Sequence, residues 1–278
     1  MNRKTADLSV RSLLHNNTTM TEDDLKFFVA QVASKPSELL QQIKELREKP
    51  DPIESARIAL NDSFESTSRK AALLVILEDG EKGSVSAQRI LIEEFECGRI
   101  SNEDDYPRRA AKSWLRAFVK AKDRTATYIL GKLLFSSSAQ ESWTLGRQLL
   151  LNAAFDAEFE DTKWPRRTLT RERALRSLFE HYSKCAEGPE PDSEKALWYA
   201  ELAIGIGSKG ALIAKAREIL LLANVPAAER RAKAICCIEE YLDGLGPKPS
   251  IKDWPVGYTL PEVSEAENLL EELRASSA

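Results

Sequence analysis

Small and apolar residues recur along this chain at the spacing of one helical face. Alanine, an apolar residue four positions on and an aromatic or apolar residue eight positions on appear as Ala56-Leu60-Phe64, Ala87-Leu91-Phe95, Ala126-Leu130-Leu134 and Ala174-Leu178-Tyr182. Positions i, i+4 and i+8 lie over one another on a helix, so each triplet predicts a helix with one buried face. The triplets start 31, 39 and 48 residues apart. After the last three comes a second helical stretch with small residues seven apart: Ala110 and Ala117, Gly146 and Ala153, Ala196 and Ala203. Small residues two turns apart let helices approach closely, so these stretches read as packing partners of the first helices. A fifth, weaker unit pairs Ala211–Leu222 with Arg231–Leu242. Strand-type alternation is nearly absent. The apolar run Ala71–Leu77 would suit a buried strand, but its flanks are helical in period and it has no sheet to join, so it is read as helix.

The segment Ala174-x3-Leu178-x3-Tyr182, Gly188, Asp192-x2-Lys195-Ala196-x-Trp198-Tyr199-x3-Ala203-x3-Gly207 resembles a Sel-one-like repeat, a relative of the tetratricopeptide repeat. Ala126-x3-Leu130-Gly131 carries that family's Leu-Gly pair, and Ala87-x3-Leu91-x3-Phe95-x2-Gly98 with Arg109-Ala110 and Ala117 is a further copy. Asn61, Ile92 and Phe179 replace the glycine elsewhere, which should open the packing there. The resemblance implies an all-α, right-handed α-solenoid of about five degenerate helix-pair repeats with helical caps. It also implies an adaptor or scaffold, a class common in bacteria, that binds a partner protein or peptide on its concave face. On that geometry the groove residues are Arg89, Glu93 and Glu96, then Tyr128, Lys132 and Phe135, then Arg176, Glu180 and Ser183.

Three regions follow. Residues 1–50 form an N-terminal cap with a flexible start, carrying helices over Leu25–Ala33 and from Pro36 to about Glu48. Residues 51–245 carry the repeats, interrupted by an insert at 155–170 longer than any repeat needs. Residues 246–278 hold an irregular segment with Trp254 and Tyr258, then a capping helix from Pro261 to Arg274. No apolar block suits a signal peptide or a spanning helix, so the protein is expected to be cytoplasmic.

Formal charge is −4, from 40 basic and 44 acidic residues, so any nucleic-acid or membrane binding must rest on a local patch. Such a patch stands at Lys163, Trp164, Arg166, Arg167, Arg171, Arg173 and Arg176, offset within it by Glu172. It offers a phosphate-binding strip for nucleic acid or anionic lipid as the alternative reading, against a solvated face matched by Glu158, Glu160 and Asp161. Pro107-Arg108-Arg109 reads as a similar turn.

No nucleophile elbow, phosphate loop or paired metal-binding histidine motif occurs, and no cofactor, metal or catalytic residue is assigned. Gly205-Ile206-Gly207 follows a helix, so it reads as a turn between repeats. His181 reads as a surface or groove-edge histidine, Glu93-Glu94 and Glu239-Glu240 as solvated carboxylates, and Trp114 and Trp198 as inter-helix core. The four cysteines have no paired spacing and read as reduced, mostly structural thiols.

Overall fold

Apart from Phe64, which lies outside the described residues, the Ala-x3-Leu triplets fall on helices, with their alanines on the inner faces, in the computed structural model, which describes residues 36–62, 67–100, 105–135, 140–159, 170–186, 190–245 and 260–275. Among the described residues the regular elements are helices: α1 (Pro36–Arg47), α2 (Pro52–Asp62), α3 (Thr67–Glu81), α4 (Val85–Glu96), α5 (Asp105–Lys120), α6 (Arg124–Phe135), α7 (Gln140–Phe155), α8 (Thr170–Tyr182), α9 (Ser193–Gly205), α10 (Gly210–Leu220), α11 (Ala227–Asp243) and α12 (Leu260–Ala275). The apolar run 71–77 is indeed helical, in α3, and is buried throughout. The expected helix at Leu25–Ala33, most of the insert and the irregular segment before α12 lie outside the described residues.

The chain divides into two compact units, Met1–Thr168 and Leu169–Ala278, at a boundary inside the 155–170 insert. In the first unit α1 packs on α3, and each helix from α2 to α6 packs on its successor in the chain. In the second, α8 to α12 follow the same rule. This nearest-neighbour contact pattern is that of a helical-repeat array within each unit. The alanines of all four triplets are fully buried, as are Leu60, Leu91, Leu134 and Leu178, with Tyr182 close behind. In the second unit α10, α11 and α12 share one core of Leu212, Ala216, Ala234, Ile238, Tyr241, Val263 and Ala266.

Local sequence sets the ends. Asp51, Ser84, Asp123 and Asp192 each accept a hydrogen bond from the backbone N–H three residues on, capping α2, α4, α6 and α9. Pro52 opens α2 and Pro107 lies in the first turn of α5, where no intrahelical N–H is needed. Pro107-Arg108-Arg109 is therefore helical, and the expectation of a turn there is corrected. Four helix ends close alike, with a backbone bond five residues back: Ser84 to Asp79, Arg99 to Glu94, Asp123 to Phe118 and Ser208 to Ala203. Glycine supplies the left-handed residue at 83, 98 and 207, while Lys122 does so before Asp123.

The tightest helix crossing joins α6 to α7. A Cβ built on Gly146 would stand 2.8 Å from the Gly131 carbonyl oxygen and closer still to the Phe135 nitrogen, both backbone atoms. One on Gly131 would meet the Leu150 nitrogen at 3.1 Å. At the matching positions of α4 and α8, Ile92 and Phe179 are buried, so side chains there replace the backbone contact. Gly80 makes a related fit, since its Cβ would lie 2.5 Å from the Trp114 ring edge.

Two packing expectations are overturned. Ala117 is exposed, because the buried line of α5 runs through Ala110, Ala111, Leu115 and partly buried Phe118 instead of following a strict seven-residue step. Trp198 is 53% exposed, because α9 buries Ala196, Tyr199, Ala200 and Ala203, and position 198 points away from that stripe.

Candidate functional site

Most of the expected groove residues serve to hold helices together. Arg89 is half-buried, pairs with Asp123 at 3.2 Å and lies 5.4 Å over the Phe118 ring. Glu96 is buried at its carboxylate and accepts from Lys132 at 2.7 Å. Glu93, Tyr128 and Phe135 are buried, Phe135 stacking on Trp143 at 5.6 Å between ring centres. In the second unit, Ser183 is buried and donates to Glu218, while Arg176 and Glu180 are exposed and pair with each other at 2.9 Å. Burial removes Glu93, Tyr128, Phe135 and Ser183 from the accessible surface. Lys132, Arg176 and Glu180 keep solvent-facing side chains.

Of the basic strip, Arg171 is exposed and Arg173 half-buried on α8, and Glu172 between them accepts from Ser208 at 2.6 Å. Lys163, Trp164, Arg166 and Arg167 lie outside the described residues, as does Trp254.

Buried polar residues join successive repeats, among them Glu93 and Glu94, which were expected to be solvated. Glu93 and Glu94 are buried because α4 is covered on nearly every side from Ile90 to Phe95. Glu94 accepts from Arg69 at 3.1 Å and from Arg99 at 2.7 Å, and Arg69 also donates to the Leu60 and Arg99 carbonyls. Arg124, fully buried, donates to the carbonyls of Ala153, Asp156 and Phe159 at 2.7–2.9 Å. Glu218, also fully buried, accepts from the hydroxyls of Ser183 and Ser193 and from the backbone N–H groups of Lys184 and Cys185. Burial pushes its carboxyl up, but the four donors outweigh this and hold it below the ordinary value. His181 is buried too, 3.8 Å from Glu190, so the surface placement expected for it is corrected; burial lowers its pKa despite that carboxylate. Cys97 and Cys236 are exposed, Cys185 is half-buried and Cys237 is buried, so the structural-thiol expectation suits the last two alone.

A surface of different character runs along α5. Arg108, Lys112, Arg116 and Lys120 stand four residues apart, one turn each, on one face of that helix. The first three are half-buried and Lys120 is exposed. The Phe95 ring at the end of α4 lies beneath two of them, 6.0 Å from the Arg108 guanidinium carbon and 5.7 Å from Lys112 Nζ. Burial, together with the neighbouring Arg108 and Arg116 charges and against the attraction of Asp105, lowers the Lys112 pKa from 10.5 to about 8. Burial also lowers that of Arg116. Asp105 itself pairs with Arg109 at 3.0 Å. The sequence reading named Arg108 and Arg109 and missed the stripe, although the four-residue spacing of cations from 108 to 120 is legible in the chain.

Among the described residues no cluster of histidine, cysteine and carboxylate side chains could hold a metal ion, and no helix is long and apolar enough to cross a membrane. No protein-family model matches the sequence, and no curated protein is significantly similar to it. Among solved structures, the chain is similar to the crystal structure of a Sel1 repeat protein from Oxalobacter formigenes, at 17% sequence identity over 95% of this chain and 85% of that one, with a TM-score of 0.29.

Proposed function

We propose that this protein is an interaction adaptor whose first unit holds an acidic segment of a partner protein along α5, against Arg108, Lys112 and Arg116. The stripe of cations carries the reading. Like charges one helical turn apart cost a helix roughly 0.2–0.5 kcal/mol per pair, and partial burial raises that cost. Carboxylates laid along the stripe would turn each repulsion into an attraction, with hydrogen bonds to charged groups contributing about 1.5–3 kcal/mol each.

The spacing selects a ligand shape. One step along the stripe is about 6 Å, from four residues at the helical rise. Alternate side chains of an extended peptide are spaced about 6.6 Å apart. A segment with Asp or Glu at every second position therefore matches the stripe in register. The repeat motifs support the adaptor class, and Lys132 beside Glu96 extends the polar surface available to a partner. With a net charge of −4 the molecule has no general attraction for polyanions, which favours a short acidic segment over nucleic acid or an anionic bilayer.

Fluorescence anisotropy with a labelled peptide of alternating Glu and Ser, and its Gln-for-Glu counterpart, tests this. An Arg108→Ser, Arg116→Ser variant of unchanged helicity should bind the acidic peptide about ten-fold or more weakly, and the Gln peptide should not bind. Equal binding of both peptides, or no loss in the variant, would sink the reading. Tighter binding of a labelled single-stranded oligonucleotide or of anionic vesicles would transfer the stripe, or the 163–176 strip, to phosphate recognition.

A further inference from the structure

We infer that the outer stripe of α9 receives an arginine side chain from a basic segment of a partner protein, its guanidinium laid on the Trp198 indole and donating to Glu194. This surface lies in the second unit, and the inference does not rest on the acidic-segment reading of α5.

The phase of α9 sets the surface. Ala196, Tyr199, Ala200 and Ala203 are buried, which leaves Glu194, Trp198 and Glu201 exposed along the opposite side, about one turn apart. Trp198 is 53% exposed, although an indole gains more from burial than almost any other side chain. Its ring is braced from one side. It meets the Tyr199 ring edge-on at 4.9 Å between ring centres, and Tyr199 stacks on Tyr182 at 5.8 Å. Both tyrosines are buried, so this series of rings ties the indole to the core and reduces the freedom that a partner must remove on binding.

Charge selects the occupant. Between residues 190 and 201 the chain carries Glu190, Asp192, Glu194 and Glu201 against Lys195 alone. Lys195 pairs with Asp192 at 2.8 Å and lies over the Tyr182 ring, Lys215 of α10 holds Glu201, and Glu190 stands 3.8 Å from His181. Glu194 is exposed and stands in no ion pair among the described residues. Its carboxylate and the Trp198 ring are separated by one turn, about 6 Å along the helix. A guanidinium serves both at once: its flat face stacks on an indole within about 6 Å of the ring centre while its N–H edge donates to a carboxylate. A lysine ammonium is a compact, strongly hydrated charge that does not stack, so arginine is preferred. Residues 169–278 carry the whole net charge of −4, which steers a basic segment toward this unit and opposes a phosphate or an acidic peptide.

The test is fluorescence anisotropy of the full chain with a labelled peptide of alternating Arg and Ser and with its citrulline-for-Arg and Lys-for-Arg counterparts. Wild type should bind the Arg peptide about ten-fold or more tightly than the uncharged citrulline peptide, and about three-fold or more tightly than the Lys peptide. Trp198→Ala, at unchanged helicity, should weaken the Arg peptide about ten-fold, Trp198→Phe less, and Glu194→Gln about three-fold. Glu271→Gln, which removes an exposed carboxylate of α12, should bind as wild type does. Equal binding of the Arg and citrulline peptides, or an Arg peptide held as tightly by Trp198→Ala as by wild type, overturns the inference. An equal loss in Glu271→Gln and Glu194→Gln assigns the binding to general charge attraction and overturns it too. Self-association of wild type in sedimentation, abolished by Trp198→Ala, would give the stripe to a second copy of this chain instead.

Discussion

Arg124 in the first unit and Glu218 in the second are both completely buried and both gather a length of backbone around one charge, yet their chemistry is opposite. Arg124 donates to three carbonyls where α7 ends, whereas Glu218 accepts from two hydroxyls and two N–H groups between α8 and α9. The first unit repeats its solution at Arg69, which binds the Leu60 and Arg99 carbonyls. Its helices also meet backbone to backbone at Gly131 and Gly146. The second unit relies instead on the shared side-chain core of α10, α11 and α12. Surface charge differs as well. The whole formal net charge of −4 falls in residues 169–278, where Arg176, Lys195, Lys215, Arg217, Lys233 and Arg274 all stand in ion pairs with Asp or Glu. The first unit is neutral as a whole and still sets four cations in a row on α5. Local segregation of charge, more than its total, marks the surface suited to a partner.

The sharpest way to break this comparison is Gly146→Ala. The new methyl would meet backbone atoms that cannot swing aside, so the α6–α7 pair must separate, at a cost of about 3 kcal/mol or more in urea unfolding. Unit 2 should keep its own transition. Glu218→Ala tests the other side, since it strands two hydroxyls and two N–H groups and should cost unit 2 about 3 kcal/mol, with Glu218→Gln costing less. Its pH dependence has a definite sign. The folded pKa lies below the ordinary 4.5, so the wild-type stabilisation is complete above that pH and drains away as pH falls through the lower folded value. Glu218→Gln should melt with a flatter pH dependence below pH 4.5, and an unchanged slope would rule out this linkage. The smallest expected effect is at Trp198, where an exposed ring makes Trp198→Ala worth within about 0.5 kcal/mol of stability.

Helices and their inner faces were legible in the sequence because i, i+4, i+8 spacing acts locally. Ala87 and Leu91 needed no knowledge of distant contacts. Burial of Glu93 and Glu94 was illegible for a physical reason: a carboxylate beside apolar residues reads as solvated unless Arg69 and Arg99, 25 and 5 residues from Glu94, are known to reach it. Burial of the groove positions Glu93, Tyr128, Phe135 and Ser183 was illegible likewise. Transferring a groove from a repeat pattern presumes an open face on the first helices, while Tyr128 and Phe135 are covered by neighbouring helices. Trp198 was misplaced by treating repeat spacing as burial without checking its phase against Ala196 and Tyr199.

If the charge of the α5 stripe recognises an acidic segment, swapping that charge must swap the preferred peptide. Titrations would pair wild type and Arg108→Glu, Arg116→Glu with peptides of alternating Glu and Ser or alternating Lys and Ser. Wild type should bind the Glu peptide, and the reversed protein should lose it about a hundred-fold while gaining the Lys peptide. Unchanged binding of the Glu peptide by the reversed protein would contradict it.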